Sequence, residues 1–199
     1  MHLASKRTVG RTPVQVTQLG LGGTAFGNMY SAVSEQAALE TFLAGYRAGI
    51  RYFDTAPLYG HGLSELRMGA GLAQVPREAV VVSTKVGYML EPSAPEAIAP
   101  DVFADPLPLA TRYDYSREAV LRSLESSLKR LGTDHVEIVL IHDPDESTSL
   151  KPGVDLYARS HYAEVMAGAY PALHELRAQG VIKAIGLGMN QWQMLADFA

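Results

Sequence analysis

Five times along this chain an apolar run of strand length ends on a polar side chain, and a segment with helical spacing follows. The runs lead to Thr24, Asp54, Lys85, His142 and Asn190. Near-continuous apolar strands alternating with helices form a parallel sheet covered by helices. An open doubly wound sheet gathers its site at one switch point, whereas a (β/α)8 barrel brings every strand C-terminus to one mouth. Because functional side chains follow strand after strand, the pattern predicts an α/β chain of the (β/α)8 type.

The elements can be placed more closely. Residues 7–18 alternate weakly around Gly10 and Pro13 and read as a hairpin. Leu19 to Phe26 is a candidate first buried strand. Ser34 caps a helix to Arg47 with Ala38, Phe42 and Tyr46 on one face, and Gly49 stops it. Strand 50–54 precedes a helix over 63–73 whose apolar face is read as Leu63, Leu66, Gly69/Ala70 and Ala73. Strand 80–85 runs into a long segment from Gly87 to Tyr113. Five prolines there (92, 95, 100, 106 and 108) exclude helix and central strand, so it is expected to be irregular. Ser116 caps a helix to Leu131, with Val120, Leu121, Leu124 and Leu128 buried. Strand 136–142 is followed by a stretch rich in Asp, Ser and Pro. A helical pattern over 162–179, interrupted near Pro171, leads to strand 181–188 and the opening of a further helix at Gln191.

A complete barrel of this kind needs roughly 250 residues. In 199 residues only five strand–helix units can be counted, the fifth incomplete. Residues 1–199 are therefore expected to form a single but incomplete barrel domain, the N-terminal part of a longer protein, with strands six to eight absent.

The chain has 47% hydrophobic and 19% charged residues, and a net charge of −4. No basic surface for nucleic acid or an anionic membrane is expected. Cysteine is absent, which excludes disulfides, thiolate metal sites and thiol nucleophiles. With neither a signal-peptide pattern nor a run of ~18 apolar residues, the expected location is the cytoplasm.

Asp54, Tyr59, Lys85 and His142 are the parts of a proton-transfer group. When a carbonyl is reduced by hydride, charge builds on its oxygen and a proton is required. A phenol titrates near ~10, too high to give its proton readily at neutral pH. A lysine ammonium beside it favours the phenolate, an aspartate keeps that lysine charged and oriented, and a histidine can hydrogen-bond the oxygen or relay the proton. Singly, each has a bland alternative: Tyr59 a half-buried tyrosine, Asp54 a turn residue, His142 a satisfied core histidine, Asn190 a helix cap. Lys85 after an apolar run is harder to dismiss, because buried lysines are rare unless paired. His61, His135, His161 and His174 are expected at the surface or in loops. Gly20-Leu21-Gly22-Gly23-Thr24-Ala25 fits the dinucleotide fingerprint by pattern, but a loop follows where that fingerprint requires a helix. No histidine pair at helical spacing supports a metal, so no metal site is expected.

Longer stretches carry a resemblance. Leu19 to Thr24, Tyr52 to Gly60, Ser64-Glu65, Ser83 to Gly87, Ser123-Leu124 through Gly132, and Ile141 to Asp145 together resemble the aldo-keto reductase family over essentially the whole chain. His142-Asp143-Pro144-Asp145 with Gly186 to Trp192 is similar to the branch of aldose 1-dehydrogenases and pyridoxal 4-dehydrogenase. The resemblance implies a (β/α)8 barrel, NAD(P)(H) bound without a Rossmann fold, and a catalytic tetrad of Asp54, Tyr59, Lys85 and His142. It further implies that Asn190 holds the nicotinamide carboxamide, with Gly23, Thr24 and Asp54 under the nicotinamide ribose. The implied substrate is a small sugar or aldehyde, with oxidation of a cyclic aldose to its lactone as the expected direction. A non-catalytic, cofactor-sensing subunit is the alternative of another class. The pyrophosphate and adenosine contacts belong to the last three strands, so residues 1–199 alone are expected to bind cofactor poorly.

Overall fold

The computed structural model describes residues 4–98, 101–145 and 160–198. The chain opens with an antiparallel hairpin, β1 (Lys6–Thr8) and β2 (Gln15–Thr17). Val14 of its turn packs on Ile138 and Ala184, the first residues of two later strands. The hairpin thus closes the N-terminal end of the sheet. β3 is only Leu21–Gly22 and passes into a 3₁₀ turn over Thr24–Gly27, so the first strand is much shorter than the apolar run suggested.

Helix α1 (Glu35–Arg47) starts at Ser34, whose side chain accepts from the Ala37 N–H, and buries Ala38, Phe42 and Gly45. β4 (Tyr52–Asp54) follows, with Phe53 fully buried and stacked on Phe42 at 4.3 Å between ring centroids. Burying two such rings contributes roughly 1.5–3 kcal/mol each. Helix α2 (Leu63–Leu72) differs from its expected face: Leu66 is exposed while Glu65 is fully buried. The reason is a partner from another helix. Glu65 accepts from Arg130 Nε and from Thr84 Oγ1, each at 2.6 Å, so its charge is compensated inside the fold.

β5 (Val81–Val86) is buried along nearly its whole length. The segment after it is not irregular throughout: β6 (Tyr88–Pro92) and β7 (Leu109–Tyr113) form a separate antiparallel hairpin. Pro92 is tolerated because it ends an edge strand, outside the central sheet. Helix α3 (Arg117–Leu131) begins at the Ser116 cap, and β8 (Ile138–His142) leads to residues 146–159, which lie outside the described part together with the irregular stretch expected there. One continuous helical stretch then comprises α4 (Tyr162–Glu164), a π-helical turn over Val165–Ala169, and α5 (Tyr170–Ala178). Pro171 has no N–H to give to the preceding turn, which accounts for the wide turn just before it. β9 (Ala184–Gly188), a 3₁₀ turn and α6 (Leu195–Phe198) complete the described chain.

The central sheet is parallel, with order β3-β4-β5-β8-β9, each strand beside its predecessor in that series. Gly22 pairs with Asp54, Asp54 with Ser83, Lys85 with Leu140 and His142 with Gly188. This register gathers the C-terminal strand ends along one rim. Five strand–helix units so arranged make up the first part of a (β/α)8 barrel.

Candidate active site

The rim brings together the four residues read as a proton-transfer group. Lys85 is 4% exposed; its Nζ donates to Asp54 Oδ2 at 2.6 Å and to the Thr55 carbonyl at 2.9 Å. It also lies 4.7 Å from the centroid of the Tyr59 ring. Burial alone would pull the ammonium down, but the Asp54 carboxylate and the Tyr59 phenol, acting together, carry its pKa above the ordinary lysine value. Asp54 is oriented from its other side, where Oδ1 accepts from Ser83 Oγ at 2.5 Å. Ser83 was missed in the sequence, although the period-2 rule places it on the same face of β5 as Lys85.

Tyr59 is positioned by its backbone. Its carbonyl accepts from the Ser64 N–H at the start of α2. The next residue, Gly60, has φ 63° and touches the turn after β3: a Cβ there would sit 2.5 Å from the Gly27 carbonyl oxygen. Only glycine combines that dihedral with that approach. The turn is itself clamped by the buried Arg67, which donates to the carbonyls of Phe26 and Val33 and to Asn28 Oδ1.

His142 meets the edge of the Tyr59 ring at 5.7 Å between centroids, nearly perpendicular. It is buried, and burial followed by the charge on Lys85 holds its pKa well below the usual histidine value. The imidazole is therefore neutral at pH 7. Its Nδ1 has no hydrogen-bond partner among the described residues, and Gly188 of β9 leaves the gap through which Lys85 passes, since a Cβ there would lie 3.2 Å from Lys85 Cε.

Asp143 adds a second carboxylate. Its Oδ2 accepts from Tyr88 at 3.2 Å and faces His142 Nε2 at 3.7 Å, and its Oδ1 accepts from Asn190 Nδ2 at 3.0 Å. Burial, with a contribution from Asp145, raises its pKa to about 6. The single Tyr88 O–H is shared between Asp143 and Tyr113, whose oxygen lies 2.7 Å away, and Tyr115 donates to the His142 carbonyl at 2.6 Å. None of Asp143, Tyr88 and Tyr115 was singled out from the sequence. Tyr88 lies inside the Gly87–Tyr113 segment read as irregular and Tyr115 just beyond it, and Asp143 was noticed only as part of the run after His142.

The residues expected at a nicotinamide are placed less uniformly. Gly23 is buried, its N–H bonded to the Asp54 carbonyl and its carbonyl to Ser64 Oγ. Thr24 begins the 3₁₀ turn at the rim. Asn190 lies just after β9 and is tied to Asp143. Gly22, in register with Asp54, has open space where a side chain would project. An open floor at Gly22 beside a paired lysine, a phenol and an orphaned imidazole nitrogen fits a flat hydride donor and a carbonyl. Among the histidines, His135 and His174 are at least partly exposed as expected. His61 is not at the surface: it is 2% exposed, held by two hydrogen bonds. His161 packs against the rings of both Tyr113 and Tyr115.

Residues 18–198 match the sequence profile of the aldo/keto reductase family. The chain belongs to the aldo-keto reductase family. A pyridoxal 4-dehydrogenase of Microbacterium luteolum is 38% identical over 99% of this chain and 59% of its own length. A D-threo-aldose 1-dehydrogenase of a Pseudomonas species is 39% identical over 87% of this chain and 50% of its own. The chain thus spans 50–59% of the length of these two curated relatives. In structure, the holo form of an aldo-keto reductase from Bacillus halodurans superposes with a TM-score of 0.71 over 98% of this chain and 53% of that one, at 23% identity. The aldo-keto reductases are oxidoreductases that generally use NAD(P)H, and the chain shares their fold across its described length.

Proposed function

We propose that the complete protein transfers hydride between NAD(P)(H) and a small cyclic sugar or aldehyde, with oxidation of an aldose lactol to the aldonolactone as the main direction. The observation that carries this reading is the contact of Lys85 with both Asp54 and Tyr59, beside a neutral His142, at the rim of the sheet. The two relatives named for aldose and pyridoxal oxidation support the substrate class; pyridoxal or a general aldehyde is the alternative within it.

In this reading the cofactor supplies or accepts the hydride when bound. Asn190 and the Gly23–Thr24 turn would hold its nicotinamide end, with Asp54 at the ribose. Tyr59 removes the proton from the lactol hydroxyl, or returns it to a carbonyl oxygen. Lys85 stabilises the phenolate through its ammonium, and Asp54 keeps that ammonium in place. His142, neutral, donates an N–H to the same substrate oxygen and fixes its direction. The same reading treats residues 1–199 as one incomplete domain, completed by three further strand–helix units beyond the rim segments described.

The experiment uses the full-length parent enzyme and follows nicotinamide absorbance with L-fucose, L-galactose and pyridoxal. Tyr59→Phe should lower turnover by at least about 10²-fold, the scale of general acid–base catalysis, while cofactor affinity stays nearly unchanged. Turnover of the variant within a few-fold of wild type would refute the assignment.

A further inference from the structure

Residues 101–108, in the connection between β6 and β7, cross the rim beside Tyr59, and Leu109 opens β7. The Val102 carbonyl accepts from the Tyr30 N–H at 2.7 Å, the Ala104 N–H donates to the Asn28 carbonyl at 2.9 Å, and the Leu107 N–H donates to the Gly60 carbonyl at 3.2 Å. These bonds tie the segment to the turn after β3 and to the residue that follows Tyr59. The segment carries Phe103, whose ring lies 6.2 Å from that of Tyr59 and 6.4 Å from that of His61.

His61 joins the two sides. Its Nδ1 is 2.6 Å from the Leu109 carbonyl oxygen, and its Nε2 is 2.8 Å from Asp101 Oδ2. A carbonyl oxygen only accepts, so Nδ1 carries a proton and donates it. Nε2 then faces a carboxylate oxygen. A neutral imidazole and an ionised carboxylate would set two acceptors against each other at that distance. One further proton must sit in the Nε2···Oδ2 contact, on either atom. The other oxygen of Asp101 accepts from the Phe103 N–H at 2.7 Å. A closed ring of contacts results, running from Tyr59 along the chain to His61, across to Asp101, on to Phe103, and back to the Tyr59 ring.

We propose that the His61–Asp101 pair is a proton-bridged latch that holds residues 101–108 closed against Tyr59, so that His61 and Asp101 are positioning residues for the acid–base group and Phe103 is the wall it positions. The assignment of a role toward Tyr59 rests on the function proposed above; the latch itself does not. His61 is not a catalytic residue in this scheme, because it touches the loop and not the reacting atoms.

The test uses Asp101→Asn and Asp101→Leu. Asparagine has the same shape: its oxygen accepts from the Phe103 N–H and its amide donates to a neutral His61 Nε2, so the bridge survives without the extra proton. Leucine cannot make either bond. Amide hydrogen exchange of the 199-residue chain is read at Tyr30, Ala104 and Leu107, none of which bonds to Asp101. Loss of a hydrogen bond to a charged group should speed exchange there by about tenfold or more in Asp101→Leu, with Asp101→Asn within about threefold of wild type. Unchanged exchange in Asp101→Leu, or Asp101→Asn as fast as Asp101→Leu, would overturn the latch. In the full-length enzyme Asp101→Leu should lower kcat at least tenfold with cofactor KM unchanged, and Asp101→Asn should restore it. Normal kcat in Asp101→Leu, alongside an inactive Tyr59→Phe, would overturn the positioning role alone. A fully active Tyr59→Phe would instead refute the acid–base reading and leave the exchange result standing.

Discussion

Replacing Asp143 by asparagine should stabilise the fold at neutral pH and leave it unchanged in acid. Asp143 is 5% exposed, and its pKa is raised from 3.8 to about 6, first by burial and then by Asp145. Between those two values the folded chain keeps a proton that the unfolded chain has released. The folded state therefore binds more protons, and stability falls as pH rises through this window. Two pKa units correspond to about 3 kcal/mol; with water reaching the rim, about 1–3 kcal/mol is the working range. Asparagine keeps both contacts, because its oxygen can accept from Asn190 and its amide can donate to the Tyr88 oxygen while Tyr88 donates to Tyr113. The depressed pKa of His142 acts in both proteins and drops out of the difference. Urea unfolding followed by circular dichroism from pH 4 to pH 8 measures it. With a slope of about 2 kcal/mol/M, the variant should unfold about 0.5–1.5 M later at pH 8, a gain that shrinks to about 0.3 M or less at pH 4. A variant less stable at pH 8, or a gain that does not shrink on acidification, would show that Asp143 is not a buried charge held at a cost.

Two structural substitutions test the support of the rim. Gly60→Ala places a side chain at φ 63° and 2.5 Å from the Gly27 carbonyl; it should cost about 1–3 kcal/mol in urea unfolding and abolish turnover in the parent enzyme by moving Tyr59. Glu65→Ala leaves Arg130 without its buried partner and should lower stability by about 3–5 kcal/mol, whereas a loss under 1 kcal/mol would mean that the pair is solvated.

The course of the chain shows why some features were legible and others were not. The Ser34 and Ser116 caps, the parallel strands and the pairing of Lys85 with Asp54 follow from local pattern and from the rarity of unpaired buried lysine. The face of α2 did not follow, because hydrophobicity ranks Leu66 above Glu65 and gives no sign that Arg130 and Thr84 would meet that glutamate. The β6–β7 hairpin was hidden by prolines, which mark where a strand cannot be central but not where an edge hairpin can form. His61 does lie in a turn, but its burial was not legible because its partners, Asp101 and Leu109, lie forty or more positions away.

The strand–helix alternation, the family resemblance and the four groups that meet at the rim were all legible before any fold was known, since each depends on residue type and short spacing. Which charges are buried, the rise of the Asp143 pKa to about 6 and the approach of Phe103 to Tyr59 came only with the fold. Those properties depend on desolvation and on donors facing acceptors across the fold, and neither is written in the order of neighbouring residues.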